Sequence, residues 1–526
     1  MTLSPASSRY LKYAAAGLTV AVFLWLVGRF WHPVFGFTAF LQFDSTHQAH
    51  AIAAFHEYPV FVHPGFAPYD GMQYSQIAYH PLLRSPELAP AVDNLPYRAQ
   101  RILLPAVAWL LAAGQAAWIA QVYALLNIVC WVVLAALLWR ILAVDDVRGF
   151  VAWGGLLFSV GVLGSVRFAL IDLPALVLLA AAVWSIERAR PRRAVGWLAA
   201  AALTRETSLL AAAGLVDRRP GSGPGLIRIS LRVLLSAVPL VFWLIYIRWS
   251  VGPLNHGVRN FAWPGVGFAE KWVDCLASLR SADSPIFPWS NLLATAGLTV
   301  QVAFVLSRPR PSDAWWRVGA AYTLLLLVLG PAVWEGFPGA ACRVLLPLNL
   351  ACNVLAQRTR APLSWLLACN LTVLAGLVAF KDIPQYPFAA TRHGMVAATV
   401  EVRQGWFNPE QNSHHRWVWA ESRGRLDVST WPRSAQVEAR ITVRLLGMTP
   451  RIVYARVGDR EIWRGSVGQK LTLVELPPLP VTGGHLELEF ETDARPVLEN
   501  ARPDARRLGF ALYDPMISAS EMPSSR

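Results

Sequence analysis

Long apolar blocks separated by short basic loops fill the first three quarters of the chain, and short alternating runs fill the last quarter. The blocks lie near 11–31, 101–113, 116–142, 148–166, 169–187, 194–216, 226–249, 289–307, 314–333, 340–357 and 361–380. Apolar stretches of this length predict membrane-spanning helices. Two blocks depart from the pattern. Block 101–113 would make a helix about 20 Å long, short of a hydrocarbon core of about 30 Å. Block 194–216 is interrupted by Thr204-Arg205-Glu206-Thr207.

Charge decides which blocks cross. Arg9, Lys12, Arg140, Arg148, the run 187–193, Arg218, Arg219, Arg228, Arg232, Arg308, Arg310, Arg317, Arg358 and Arg360 all fall in short loops. Basic loops favour the cytoplasmic side. If all of them face that side, 101–113 is a re-entrant or surface-lying helix on the outer side. Then 194–203 and 206–216 are half-helices forming a V with Arg205 and Glu206 near its apex. The alternative is one extra crossing for each block. The first arrangement leaves nine full spans, a cytoplasmic N-terminus, and outward-facing segments 32–100, 250–288 and everything after 381. Ala14–Val27 follows Arg9 and Lys12 with no A-x-A cleavage site, so it reads as an uncleaved first span.

Beyond residue 396 the period changes to two. Runs such as VEARITVRLL (437–446), RIVYARV (451–457) and HLELEFET (485–492) are separated by turn residues. They predict an antiparallel all-β sandwich over 397–519, after a linker at 381–396 and before a disordered tail at 520–526. The expected fold class is therefore a polytopic α-helical membrane domain, residues 1–380, followed by an extracytoplasmic β-sandwich.

Composition agrees. Of 526 residues 55% are hydrophobic and 15% charged, against about 25% charged in soluble globular chains. That excludes a disordered chain and an ordinary soluble enzyme. The net charge is 47 − 33 = +14. Residues 397–526 hold 17 basic and 16 acidic side chains, so the excess sits in the apolar part. Basic loops explain it, and no nucleic-acid partner is implied. The five cysteines form no CxxC pair and offer no disulfide framework.

Charged residues at the ends of apolar blocks or inside them are costly, which makes them candidates for function. Segment 32–100 holds Asp44, Asp70, Asp93, Arg98 and six of the eleven histidines. Tyr69-Asp70-Gly71-x-x-Tyr74-x-x-Ile77-Ala78, followed by Tyr97-Arg98-x-x-Arg101-Ile102-Leu103-x-Pro105, resembles bacterial members of the GT-C superfamily of integral membrane glycosyltransferases. Weaker echoes lie at 203–207 and at Arg343-x-Leu345-Leu346-Pro347. The resemblance implies transfer of a hexosyl or pentosyl unit from a polyprenyl-phosphate carrier on the outer face of the bacterial cytoplasmic membrane. The acceptor would be an envelope glycan, lipid or protein. It also implies an acidic residue in the first outer loop that serves as base or orients the acceptor.

Asp70 is the catalytic candidate, because a carboxylate within hydrogen-bond reach can deprotonate an acceptor hydroxyl. Gly71 would allow a tight turn that presents it. Asp70 could instead cap the helix that starts near Met72. Asp44 is the alternate base, with its own reading as a cap. Arg98, Arg101, Arg205 and Arg343 are candidates for the carrier phosphate, since guanidinium binds phosphate oxygens in bidentate fashion. Lipid-headgroup snorkelling is the other use of such arginines. Asp172, Glu206, Tyr74 and Tyr97 are supporting candidates, with Asp172–Arg167 and Arg205–Glu206 as plain ion pairs otherwise.

No cofactor is expected. His47 and His50 share a helical spacing that could hold a divalent metal, but the HExxH pattern is absent. Segment 266–280 predicts an amphipathic surface helix that either covers the site or sits at the membrane interface. Trp406, Trp417, Trp419, Trp431 and Trp463 are either core or sugar-stacking residues, and the runs 405–420 and 506–517 resemble lectin-like jelly-roll tails attached to some bacterial membrane glycosyltransferases. Two other functions fit the sequence: a non-catalytic membrane protein that binds or assembles glycans, and a transporter of lipid-linked saccharide. The transporter would carry midplane charges and internal repeats, and neither is visible.

Overall fold

The computed structural model describes residues 5–65, 68–216, 225–254, 258–281, 286–335, 340–502 and 504–522. Arg218, Arg219 and the tail residues 523–526 lie outside the described residues. The chain is mostly helical with a C-terminal β-sheet domain. It divides into two compact units.

The helical unit comprises the N-terminal segment to Phe30, Phe37–Ala51 and Val62–Ile383. Four of its helices are long and apolar enough to cross a membrane: Ala116–Ile141, Val147–Arg167, Ile227–Ser250 and Ile286–Ser307. Lys12–Gly28, Ala314–Val328 and Leu363–Val378 are shorter apolar helices. Several expected single spans are broken, and the breaks have local causes. Block 340–357 becomes Ala341–Val344 and Leu346–Arg358, with Pro347 in the first turn of the second, where its missing N–H costs nothing. Block 361–380 breaks at Asn370, whose side chain donates to Asn353 Oδ1 at 2.7 Å and to the Leu366 carbonyl at 2.9 Å.

Both departures in the apolar pattern are visible. Leu103–Leu111 is a nine-residue helix, about 14 Å long. Helix Pro191–Thr204 stops at Arg205, a single extended residue at φ −154° and ψ 121°. The second arm, Glu206–Leu215, is a ten-residue 3₁₀ helix. It packs back against the first arm. At about 2 Å rise per residue it covers about 20 Å.

The β unit is larger than residues 397–519. It begins at Pro384 and takes in Trp31–Gly36 and Ile52–Phe61 from the first loop. Aromatic contacts hold these pieces: His32 stacks on Tyr386 at 4.6 Å, and Phe35 meets Trp431 edge-on at 5.6 Å. Part of the expected linker is a hairpin, Ala389–His393 with Val396–Val402, turned at Gly394 with φ +59°. Two six-stranded antiparallel layers form the body. One runs Ala389–His393, Val396–Val402, Arg423–Trp431, His485–Glu491, Arg451–Val457, Arg460–Val467. The other is centred on Val437–Gly447 and Phe510–Glu521, so the last strand runs into the segment expected to be disordered. Strict alternation places Val437, Ala439, Ile441, Val443 and Leu445 in the core. Trp419 and Trp431 are buried, whereas Trp406 and Trp463 are partly buried against the core.

Candidate active site

The site begins at Tyr69, which stacks on Phe168 with centroids 4.3 Å apart. Asp70 is the first residue of helix Asp70–Ile77. Tyr69 is in the capping position, and no side chain caps the helix. The Asp70 carboxylate is therefore used elsewhere than in capping. Gly71 has a different role from the tight turn expected of it. A Cβ there would lie 2.2 Å from the Phe168 carbonyl oxygen and 3.3 Å from that of Leu41. Only a residue without a side chain lets this helix approach those backbones so closely.

Helix Leu95–Arg98 is capped by Asn94, whose Oδ1 accepts from Tyr97 N at 3.2 Å. It delivers Arg98 to two carboxylates. Arg98 Nη1 donates to Asp70 Oδ1 at 2.8 Å. Its Nε and Nη2 donate to the two oxygens of Asp93 at 2.9 and 2.8 Å. Arg101 is equally committed. Its Nε and Nη2 donate to Glu206 at 3.1 and 2.8 Å. Its Nη1 donates to the Tyr74 hydroxyl at 2.7 Å, and Nη2 also donates to the Tyr97 hydroxyl at 2.9 Å.

Across from these lies Asp172, with a side chain only 1% exposed. It accepts from Arg205 Nη1 through Oδ1 and from Arg343 Nη1 through Oδ2, the latter at 3.3 Å. Arg343 Nη1 is also 3.7 Å from Asp70 Oδ2, and its guanidinium lies 5.2 Å from the Tyr69 ring centroid. Asp172 therefore pairs with Arg205 and Arg343, in place of the Arg167 expected from sequence. Arg167 instead donates to Gln42 Oε1 at 3.0 Å.

Tyr69 and the charged and tyrosine side chains of the network, other than Asp93, line one cavity of about 650 Å³, together with Asn260, Phe261 and apolar residues including Leu244, Leu325 and Val333; Arg167 lies outside the lining. Asp70, Arg98, Arg101, Arg205, Arg343, Asp172, Glu206, Tyr74 and Tyr97 are thus brought together from five stretches of chain. Four guanidiniums meet the carboxylates of Asp70, Asp93, Asp172 and Glu206, so the network is close to neutral. The arginines are not equivalent. Arg98 and Arg101 use every nitrogen on protein acceptors. The Nε groups of Arg205 and Arg343 are buried and make no hydrogen bond.

Burial pushes the Asp70 carboxyl up, but Arg98, Arg343 and Arg101 outweigh it and hold the group below the usual carboxylate range. Asp70 nevertheless keeps 31% of its side-chain surface accessible. Oδ1 is held by Arg98, and Oδ2 has only the longer contact to Arg343. Oδ2 can accept a further hydrogen bond.

Asp44, the alternate candidate, lies outside the cavity lining. It is fully buried, and Oδ1 accepts from Thr46 Oγ1 at 2.9 Å, His47 N at 3.1 Å and the His47 ring at 2.7 Å. That is a turn-closing role. His47 is thereby paired with Asp44, and among the described residues the His47–His50 pair belongs to no cluster of three metal-type ligands. Among the described residues the one such cluster is Asp427, His485 and Glu487 in the β unit.

Sequence reasoning noted Asp93 and Tyr69 but gave them no role, and it did not single out Asn260. Asn260 Nδ2 is 3.4 Å from the Tyr97 hydroxyl, so the segment after helix Ile227–Ser250 reaches the cavity. Only the stack of Tyr69 on Phe168 and the bidentate geometry at Arg98 single these residues out.

No known protein family matches the chain, and neither does any curated protein. Among solved structures, a match is the arabinosyltransferase EmbB from Mycobacterium smegmatis, at 10% identity and TM-score 0.25. The alignment covers 97% of this chain, which spans 64% of the length of that one.

Proposed function

We propose that this chain is a membrane glycosyltransferase that takes a sugar from a polyprenyl-phosphate carrier and passes it to an envelope glycan, lipid or protein. The observation that carries this reading is Asp70 in the wall of a cavity, within reach of arginines that keep unused donors. In the proposed reaction Asp70 Oδ2 accepts the hydrogen bond of the acceptor hydroxyl and then its proton. The hydroxyl oxygen bonds to the anomeric carbon as the bond to the carrier phosphate breaks. Arg205 and Arg343 hold that phosphate and stabilise the charge that builds on it. Arg98 and Arg101 orient Asp70 and Glu206. The apolar wall at Leu244, Leu325 and Val333 suits the carrier's hydrocarbon chain.

The topology that goes with this reading has nine spans, a cytoplasmic N-terminus and an extracytoplasmic β unit in the bacterial cytoplasmic membrane. The non-catalytic alternative expects Asp70 to point away from any cavity, so its position favours the enzyme. The test is release of polyprenyl phosphate by protein in nanodiscs, offered a panel of polyprenyl-phosphate sugars and, separately, nucleotide sugars. Release from a lipid-linked donor supports the proposal. Release from nucleotide sugars alone overturns the donor class, and no binding of any lipid-linked donor overturns the enzyme reading.

A further inference from the structure

A second polar cavity, of about 520 Å³, is built where two long helices end. Its volume falls in the range of about 300–1,000 Å³ typical of small-ligand sites. Trp139 and Arg140 come from the last turn of Ala116–Ile141, and Trp184 and Arg188 from the end of Asp172–Glu187. Trp139 is fixed in place. It stacks on Tyr13 at 6.1 Å and meets Trp153 edge-on at 5.3 Å. The Arg188 guanidinium lies 4.1 Å from the centroid of Trp184.

Of the nearby acidic side chains, Glu187 is committed to another partner, whereas Asp145 lines the cavity and is 86% exposed. Glu187 accepts from Nη1 and Nη2 of Arg358, the latter at 2.9 Å. Asp145 lies 3.6 Å from Lys12 Nζ. Among the described residues neither Arg140 nor Arg188 has an ion pair or a side-chain hydrogen bond. The cavity thus presents two guanidiniums with open donors between two indole walls. Asp145 is the one carboxylate in the lining, and Lys12 lies beside it, so the cavity keeps a net positive charge. Arg148, Arg190, Arg192 and Arg193 lie close by in sequence, so this is the basic-loop end of the helices.

We propose that this cavity seats the phosphodiester head group of an anionic phospholipid in the leaflet on the basic-loop side, gripped by Arg140 and Arg188. Guanidinium forks match phosphate oxygens, and basic pockets between membrane helices are suited to anionic head groups. Tryptophan favours the depth of lipid head groups, which places the phosphodiester of a lipid, rather than a free anion, beside Trp139 and Trp184. A zwitterionic head group would bring its ammonium into a lining whose two guanidiniums outnumber its single carboxylate, Asp145, which Lys12 already faces. The proposal rests on the membrane-spanning reading of the helices and is independent of sugar transfer.

The test is native mass spectrometry of the full chain in a neutral detergent, with phosphatidylglycerol, phosphatidylcholine or inorganic phosphate added at equal concentration. Phosphatidylglycerol is expected to be retained at least about tenfold more than phosphatidylcholine, because both offer a phosphodiester to the guanidiniums but only the latter brings an ammonium into a net positive lining. The Arg140→Gln/Arg188→Gln variant should lose that preference, and inorganic phosphate should not compete. Equal retention of the two lipids by wild type overturns the proposal without reliance on any variant. Full competition by inorganic phosphate assigns the cavity to a free anion and also overturns it. Donor release by the double variant should stay at the wild-type level. Absence of donor release in both would count against the transferase reading and leave the lipid result to be read alone.

Discussion

Arg98 Nη1 lies 2.8 Å from Asp70 Oδ1, and Arg98 grips Asp93 with its other two nitrogens. The proposed base is thus held by a cation that is itself anchored. Asp70 is ionised and oriented before any ligand arrives.

That pairing has a sign in pH. The folded-state pKa of Asp70 is lowered from 3.8, so its ionised form contributes stability that is fully present above that value. The contribution is lost as pH falls through the lower folded value. The acid limb of kcat/KM that belongs to Asp70 should therefore lie below about pH 4. In Arg98→Gln, desolvation loses its largest opponent and the limb should move upward. A pH–rate profile of both proteins checks this. A wild-type limb from Asp70 near pH 6 would contradict the geometry.

Arg205→Gln and Arg343→Gln should raise the donor KM by about 10- to 100-fold each, the scale of about 1.5–3 kcal/mol for a hydrogen bond to a charged group. Initial rates against donor concentration read the effect. Unchanged donor kinetics in both would remove these residues from the phosphate site.

Asp172→Ala should be the most destabilising single change in the network. It leaves two buried guanidiniums, Arg205 and Arg343, without their shared carboxylate. Removing one partner of a buried ion pair costs about 3–5 kcal/mol. A fall in the thermal unfolding midpoint larger than that of Asp93→Ala, whose side chain is 48% exposed, is the expected result.

Gly71→Ala should displace helix Asp70–Ile77, because the new methyl meets the backbone oxygens of Phe168 and Leu41, which have little room to give. Overpacking of this kind costs about 1–3 kcal/mol. Donor release should fall along with the unfolding midpoint, and a variant with wild-type rates would show that the close approach is dispensable.

Much of the site was legible in the sequence because charge in apolar surroundings must find a partner. Asp172, Arg205, Glu206 and Arg343 stand out on that ground, whereas Asp70, Arg98 and Arg101 were separated from Asp44 and Asp93 only by the resemblance at 69–105. Their division of labour did not stand out. Arg101 and Glu206 are 105 positions apart, and no local pattern announces that one exhausts the other. The break at Arg205 was visible as two charges inside an apolar block, but the 3₁₀ geometry that follows was not. The β unit's start was missed because strand Ala389–His393 is half-buried over its first four residues and so lacks the alternation that marks a strand in the sequence. Trp31–Gly36 and Ile52–Phe61 join that unit through distant aromatic contacts, which leave no periodic trace.

The central claim is that Asp70 acts as the base. Its most direct test compares wild type, Asp70→Asn and Asp44→Asn in nanodiscs, reading acceptor-dependent release of polyprenyl phosphate together with donor binding. The account predicts that Asp70→Asn binds donor and releases none, while Asp44→Asn, if folded, still turns over. Release that survives in Asp70→Asn and vanishes in a folded Asp44→Asn would contradict it.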